Sequence, residues 1–271
     1  MLSGRLLLGQ YKPGNGISYR LDPRTKILLV IAIMLAVLLH TNIAFYGGLI
    51  TVLALILIID GPGWKQVYGN LKPIFWLVLF TALIHLLFSG RNDPNVIFHL
   101  SWLSITKKAA VMAVTFSLRI VIFVLATFLI SLTTSPLSIS EGIVSLLKPL
   151  RLLKIPIHDL GMILFIALRF IPVLSGEMEM IRKAQYIRGV DFSGKWLQKI
   201  KNSVALVIPV FFSALRRADE LSIAIEARGY QSGKPRSSLY PLVFRPLDIA
   251  VLMTATLILL AIILWRFVWA A

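Results

Sequence analysis

Five apolar runs constrain this chain more than any other feature: Ile27 to Leu39, Ile43 to Ile59, Pro73 to Phe88, Ala109 to Ile130 and Leu247 to Val268. Crossing a bilayer takes about 20 mostly apolar residues at about 1.5 Å each, in a helix that satisfies its own backbone hydrogen bonds. The first and third runs are short and are expected to borrow flanking residues. With 58% apolar and only 15% charged residues and a mean hydropathy of +0.84, the chain is too greasy for a water-facing surface. The reading is an all-α polytopic membrane protein, with about five transmembrane helices plus long helices at the cytoplasmic face.

Charge sets the orientation. The start of the chain, MLSGRLLLGQYKPGNGISYR, is basic and Gly-rich and lacks an apolar core followed by a small-residue cleavage site, so no cleavable signal is read there and the N-terminus is expected inside. Residues 1–26 carry five cations against Asp22, and residues 135–245 carry sixteen basic against eight acidic side chains. The positive-inside bias places both in the cytoplasm. Four spans between them satisfy that placement and leave Arg91, Lys107 and Lys108 outside, a mild violation. The expected organisation is a cytoplasmic segment at 1–26, spans over 27–134, cytoplasmic-face helices over 135–245 and a last span over 246–271.

Several chemistries are excluded or unsupported. There is no Cys, hence no disulfide, thiolate metal site or thiol catalysis. His40, His85, His99 and His158 stand singly, none at a metal-ligand spacing, so no metal and no cofactor is expected. A net charge of +16 would point to nucleic acid in a soluble protein; here its distribution belongs to the membrane's inner face, and no nucleic-acid partner is expected. No G-x-x-x-x-G-K-[ST] loop occurs, so the chain does not hydrolyse ATP by that route. Paired intramembrane acids or His for an intramembrane hydrolase are missing, as are the broken, pseudo-symmetric helices of a complete secondary transporter.

Residues 135–245 read as helices. In TTSPLSISEGIVSLLKPLRLL, Ser140 is the expected N-cap and Ile143, Leu146, Leu147 and Leu150 follow at helical spacing. Two stretches then form a diverged repeat, each passing from an apolar start through Ile-Pro-Val (Ile171 to Val173, Ile208 to Val210) to Ala-x-x-x-Arg-Gly. The endings are AQYIRG at Ala184, Arg188 and Gly189, and AIEARG at Ala224, Ala227, Arg228 and Gly229. In the second copy Phe211, Ala214, Leu215, Ala218, Leu221 and Ile225 form an oily stripe, with Arg216, Arg217, Asp219 and Glu220 off it. The apolar first halves are too short or interrupted for spans, so two long helices at the inner membrane surface are expected.

A Gly just past a helix with Arg before it is first of all a helix C-terminus: the Gly takes left-handed geometry and the Arg complements the dipole. Two copies, each with a small Ala four residues before the Arg, point further. The Ala permits close approach, and the guanidinium offers a fork of donors suited to a carboxylate on another protein.

These elements resemble the transmembrane T component of energy-coupling factor transporters, the vitamin-importing branch of the ATP-binding cassette importers. The resemblance covers nearly the whole chain: YKPGNGISYRLDPRTKIL, with Leu21 to Lys26 as its most specific part, TTSPLSISEGIVSLLKPL, ALRFIPVLSGEMEMIRKAQYIRG, and the paired endings at 184–189 and 224–229. Ile187 departs from the family's usual Ala-Arg-Gly. The Tyr11-Lys12-Pro13-Gly14 element resembles T components shared among several substrate-capture subunits, rather than those dedicated to cobalt or nickel. The resemblance implies a non-catalytic scaffold whose two coupling helices dock into two ATP-binding cassette ATPase subunits and hold a membrane-embedded S component, in the plasma membrane of a prokaryote. It assigns ATPase binding to Ala184, Arg188, Gly189, Ala224, Ala227, Arg228 and Gly229. The nearest rival is the permease of a conventional ATP-binding cassette importer, which couples through one cytoplasmic loop.

Other residues carry structural or interface expectations. Asp22 before Pro23 is read as the N-cap of the first span, with Arg24 and Lys26 snorkelling to headgroups. Arg119, near the centre of its run, has no acid in other spans to pair with and is expected against backbone carbonyls or a partner subunit. Arg169 joins Leu221 and Ile225 as an expected interface residue.

Overall fold

The computed structural model describes residues 14, 16–60, 64–88, 96–100, 103–190, 192, 196–231 and 242–270. The chain divides into two compact units. Among the described residues, one holds those from 14 to 142 with 242 to 270, the other those from 143 to 231.

The first unit is built on the five apolar runs. After the short α1 (Ile17–Arg20), α2 spans Pro23–Leu39, α3 Ile43–Ile59, α4 Trp64–Phe88, α5 Lys107–Thr133 and α9 Pro246–Ala270. Local chemistry starts each helix. Asp22 Oδ1 accepts the Arg24 N–H at 2.9 Å, and Pro23 takes the first helical position, where its missing N–H removes no hydrogen bond. Asn42 caps α3 through Ala44 N–H at 2.9 Å, and Thr106 caps α5 through Ala109 N–H at 3.3 Å. The first run borrows its capping residues, and the third extends back to Trp64, nine residues before Pro73. Val37 of α2, Tyr46, Leu53 and Leu57 of α3, and Ile122, Leu125, Ala126, Leu129 and Leu132 of α5 form the core. α4 packs along α5, and α9 along α2. Their outer faces stay apolar, as at Phe75, Trp76, Phe80, Leu257 and Leu260, which suits helices bathed in hydrocarbon.

Two features depart from the sequence reading. Strands β1 (Val96–Leu100) and β2 (Leu103–Thr106) form an antiparallel hairpin in an otherwise helical chain, with His99 opposite Ser104 and Leu100 opposite Leu103. The stretch is rich in β-branched and aromatic residues, which favour a pleated ribbon over helix. Helix α6 spans Pro136–Leu146 and begins earlier than expected: Ser135 Oγ accepts the Ser138 N–H at 3.1 Å, while Ser140 lies inside the helix and donates to Pro136 O at 2.9 Å. Proline at the first helical position draws the start four residues upstream of the expected cap.

In the second unit a 3-10 turn at Lys148–Leu153 leads to α7 (Ile157–Ile187) and α8 (Trp196–Ala227). At 31 and 32 residues these are each about 46 to 48 Å long. Both run unbroken through an internal proline, Pro172 and Pro209. By length and composition, α5, α7 and α9 suffice to cross a membrane, and α3 and Ile74–Phe88 are shorter apolar helices. For α7 this revises the expectation of an interrupted apolar half, because Pro172 does not end the helix and Glu177 is the first acid after the apolar stretch.

Candidate docking site at two helix ends

Both Ala-x-x-x-Arg-Gly endings fold into the same cap. At the end of α7, Val190 N–H donates to Gln185 O at 3.0 Å and Gly189 N–H to Tyr186 O at 3.0 Å; at the end of α8, Tyr230 N–H donates to Ile225 O at 3.2 Å and Gly229 N–H to Glu226 O at 2.9 Å. This paired pattern is the Schellman motif, which satisfies the last carbonyls only if the residue past the helix is left-handed. Gly189 and Gly229 supply that geometry, with φ of +86° and +74°. Arg188 and Arg228 are therefore the cap residues themselves, held at a fixed place at the helix tip.

The two ends also match in exposure. Residues 181, 185 and 190, and 221, 225 and 230, are half-buried, while every residue between them is exposed. Ala184 and Arg188 are thus four residues apart on one open face, as are Ala224 and Arg228, with Ala227, Gly189 and Gly229 open too. Among the described residues neither Arg188 nor Arg228 has an ion-pair partner. Two unpaired guanidiniums beside small residues can each take a carboxylate and tolerate a close-packed surface.

What joins the helices was not foreseen. Glu177 of α7 accepts hydrogen bonds from Ser213 Oγ and, at 3.3 Å, from Arg217 Nε of α8. Tyr230, just past the second cap, donates to Asp159 Oδ1 near the start of α7 at 2.9 Å. The expected division of α8 needs correction accordingly. Arg217, expected off the stripe, is half-buried with Ala214, Leu221 and Ile225, whereas Phe211, Leu215 and Ala218 are exposed. The half-buried face, through Ala214, Arg217, Leu221 and Ile225, is turned to one side of the expected stripe, so that Arg217 comes in at one edge while Phe211, Leu215 and Ala218 are left open. A Glu and an Arg forty residues apart, each eleven residues before the arginine of its own ending, were the available signal. Arg169 is exposed on α7.

The N-terminal element ties the first unit together. Asp248 takes the Asp22 N–H at 2.8 Å on one oxygen and the Arg245 N–H at 2.8 Å on the other. Arg24 donates to Leu242 O and covers the Phe244 ring at 4.7 Å. Lys26 does not snorkel: it is 3% exposed, and its Nζ donates to Thr133 O at 3.0 Å and Thr134 Oγ1 at 2.9 Å. The carbonyl end of α5 supplies oxygens and the negative end of a helix dipole where headgroups were expected. The sequence reading did not single out Asp248; its one sign was that it is the only acid after Glu226, at the start of the last apolar run. Arg119 Nε donates to Tyr46 Oη at 3.0 Å and Nη2 to His40 O at 3.4 Å. Tyr11, Lys12, Pro13 and Arg91 lie outside the described residues.

The fold and its two capped helix ends define an α-helical, polytopic membrane component. The sequence model described as "CbiQ: Cobalt transport protein" matches residues 14–239. Relatives named "Energy-coupling factor transporter transmembrane protein EcfT" align over 96% of this chain: 40% identical in Bacillus subtilis (97% of that protein), 39% in Acidaminococcus fermentans (97%), and 40% in Listeria innocua (98%). The chain belongs to this family, the CbiQ-type T components, as the transmembrane component of an energy-coupling factor transporter.

Proposed function

We propose that this chain is the non-catalytic scaffold that couples two ATP-binding cassette ATPase subunits to uptake of a vitamin or similar micronutrient captured by a membrane-embedded S component. The observation that carries the reading is the pair of matched caps, each presenting an exposed, unpaired arginine four residues from a small alanine on one open face. Each tip enters a groove on one ATPase and meets acidic acceptors there. The residues at the docking surface are Ala184, Arg188, Gly189, Ala224, Ala227, Arg228 and Gly229.

Two helices of about 46 to 48 Å, clamped by Glu177, Ser213 and Arg217, are stiff enough to carry a displacement from their tips to apolar surface elsewhere. The exposed side chains of α8, among them Phe211, Phe212 and Leu215, are the surface offered to the S component and lipid. On this reading the N-terminus and both coupling helices face the cytoplasm of a prokaryotic cell.

One observation favours a second substrate class: the matched family is described by cobalt transport. The relatives' shared name speaks of an energy-coupling factor transporter and specifies no substrate. Purification of the chain from its host with its bound subunits, identified by mass spectrometry, decides. Two ATPase chains with several alternative S components are expected; a single metal-specific S component selects the second class, and ATP-independent transport by the chain alone in liposomes rejects the scaffold.

A further inference from the structure

Within the first unit, α5 and Thr41 line a cleft of about 600 Å³. Three cations face it: Lys107 and Lys108, both exposed, and Arg119, half-buried. From Lys107 to Arg119 the helix rises about 18 Å, so positive charge extends from its end well into the apolar run. Among the described residues, none that lines it is acidic.

The surroundings of Arg119 satisfy its donors without balancing its charge. Its contacts are the Tyr46 hydroxyl at 3.0 Å, the His40 carbonyl at 3.4 Å, the Phe116 ring at 5.2 Å and the Tyr46 ring at 5.8 Å, all neutral. A charge at membrane depth is costly unless compensated, and here the described residues provide no counter-ion. Lys107 and Lys108 sharpen the imbalance, because they occupy the first turn of α5, where the helix dipole opposes cations. Thr41 and Thr115 add hydroxyls, and Val111, Met112 and Phe116 give the cleft an apolar wall.

We propose that this cleft binds a phosphate-class anion, either the phosphodiester of an acidic phospholipid or free inorganic phosphate. Lys107 and Lys108 hold the anion at the exposed end and Arg119 attracts it from below. A phosphate held by Lys107 and Lys108 supplies an anion to the two lysines directly and places negative charge at the mouth of the cleft that Arg119 also lines. The apolar wall suits an acyl chain beside the headgroup.

The test uses the full-length chain in detergent, with native mass spectrometry reading retention of phosphatidylglycerol against phosphatidylcholine of the same tails, and inorganic phosphate titrated alone and as competitor. The variants are Lys107→Gln with Lys108→Gln, which leaves the Arg119–Tyr46 contact intact, and Arg119→Lys. Wild type should retain phosphatidylglycerol preferentially, and the double variant about tenfold less, at an unchanged thermal midpoint. Retention that phosphate does not displace assigns the site to lipid; direct phosphate binding that displaces it assigns the site to the free ion. Equal retention of both lipids with no phosphate binding, or an unchanged double variant, overturns the proposal.

Discussion

The two units of this chain treat their apolar surface in opposite ways. In the first, α2, α3 and α5 close on one another until Val37, Tyr46 and Ile122 are wholly buried, and polar groups at the helix ends are tied by Asp248, Lys26 and Arg24. In the second, Ile157 is the one buried side chain among the described residues from 143 to 231, and Ile187, beside the first cap, is 85% exposed. The first unit takes its order from contacts within the chain. The second is clamped at a few polar points and leaves its ends and apolar faces open, which is the condition of a surface completed by other molecules.

The contrast is broken most severely at the open ends. On the proposed reading, Arg188→Glu with Arg228→Glu should abolish co-purification of the ATPases and vitamin uptake, because each arginine docks against acids and losing a buried charged pair costs about 3 to 5 kcal/mol. Either change alone should weaken the complex by about two orders of magnitude or more. Lys at either position should rescue in part, since it keeps the charge and loses the fork. Wild-type pull-down and uptake in the double variant would remove the docking role from both arginines.

The closed unit should answer differently. Lys26→Ala strips three hydrogen bonds from the end of α5 and leaves Thr133 O, Thr133 Oγ1 and Thr134 Oγ1 without that donor. The expected loss is about 2 to 3 kcal/mol of stability in the first unit, read as a lower thermal midpoint of the solubilised chain. ATPase capture by the surviving folded protein should persist. An unchanged midpoint would show that the buried ammonium contributes no net stability.

Between these extremes lies the half-covered face of α8. Leu221→Asp places a charge beside Ile225 on that face and should lower uptake while ATPase capture continues, at a cost of about 1 to 3 kcal/mol. Hydroxyl-radical footprinting of the wild type supplies the control: Leu221 should be labelled less than Ile223, which is 69% exposed two residues away. Equal labelling would place Leu221 on open surface and remove the reason for the effect.

Legibility in the sequence divides along the same line. The apolar runs were readable because hydrocarbon demands long unbroken greasy stretches, and α3 begins and ends where its run does. The repeated Ala-x-x-x-Arg-Gly endings were readable because a left-handed turn demands Gly whatever lies beyond it. Long-range polar pairing was not: Lys26 reads as an interfacial cation until the end of α5 comes to meet it, and Arg217 reads as a wet residue until Glu177 of another helix lies against it. Such partners are separated by 107 and 40 residues, and periodicity within one helix carries no information about either. The hairpin before α5 is short and only partly apolar, so no long greasy run marks it, and its β-branched and aromatic content is its one sign.

The smallest expected effect separates the cap from the docking it presents. Gly189→Ala or Gly229→Ala forces a side chain into left-handed backbone at φ +86° or +74°, although the space around both glycines is open. The cost is therefore conformational, about 1 kcal/mol at each helix end. Asn tolerates this geometry better than Ala, so the order of ATPase capture should be Gly, then Asn, then Ala, with losses well short of those at Arg188 and Arg228. The two ends should respond alike, because their hydrogen bonds and exposure match. If Gly229→Ala instead silences capture as fully as Arg228→Glu, and Asn does not recover it, the partner reads the bare backbone of the turn, and the arginine is there to cap the helix.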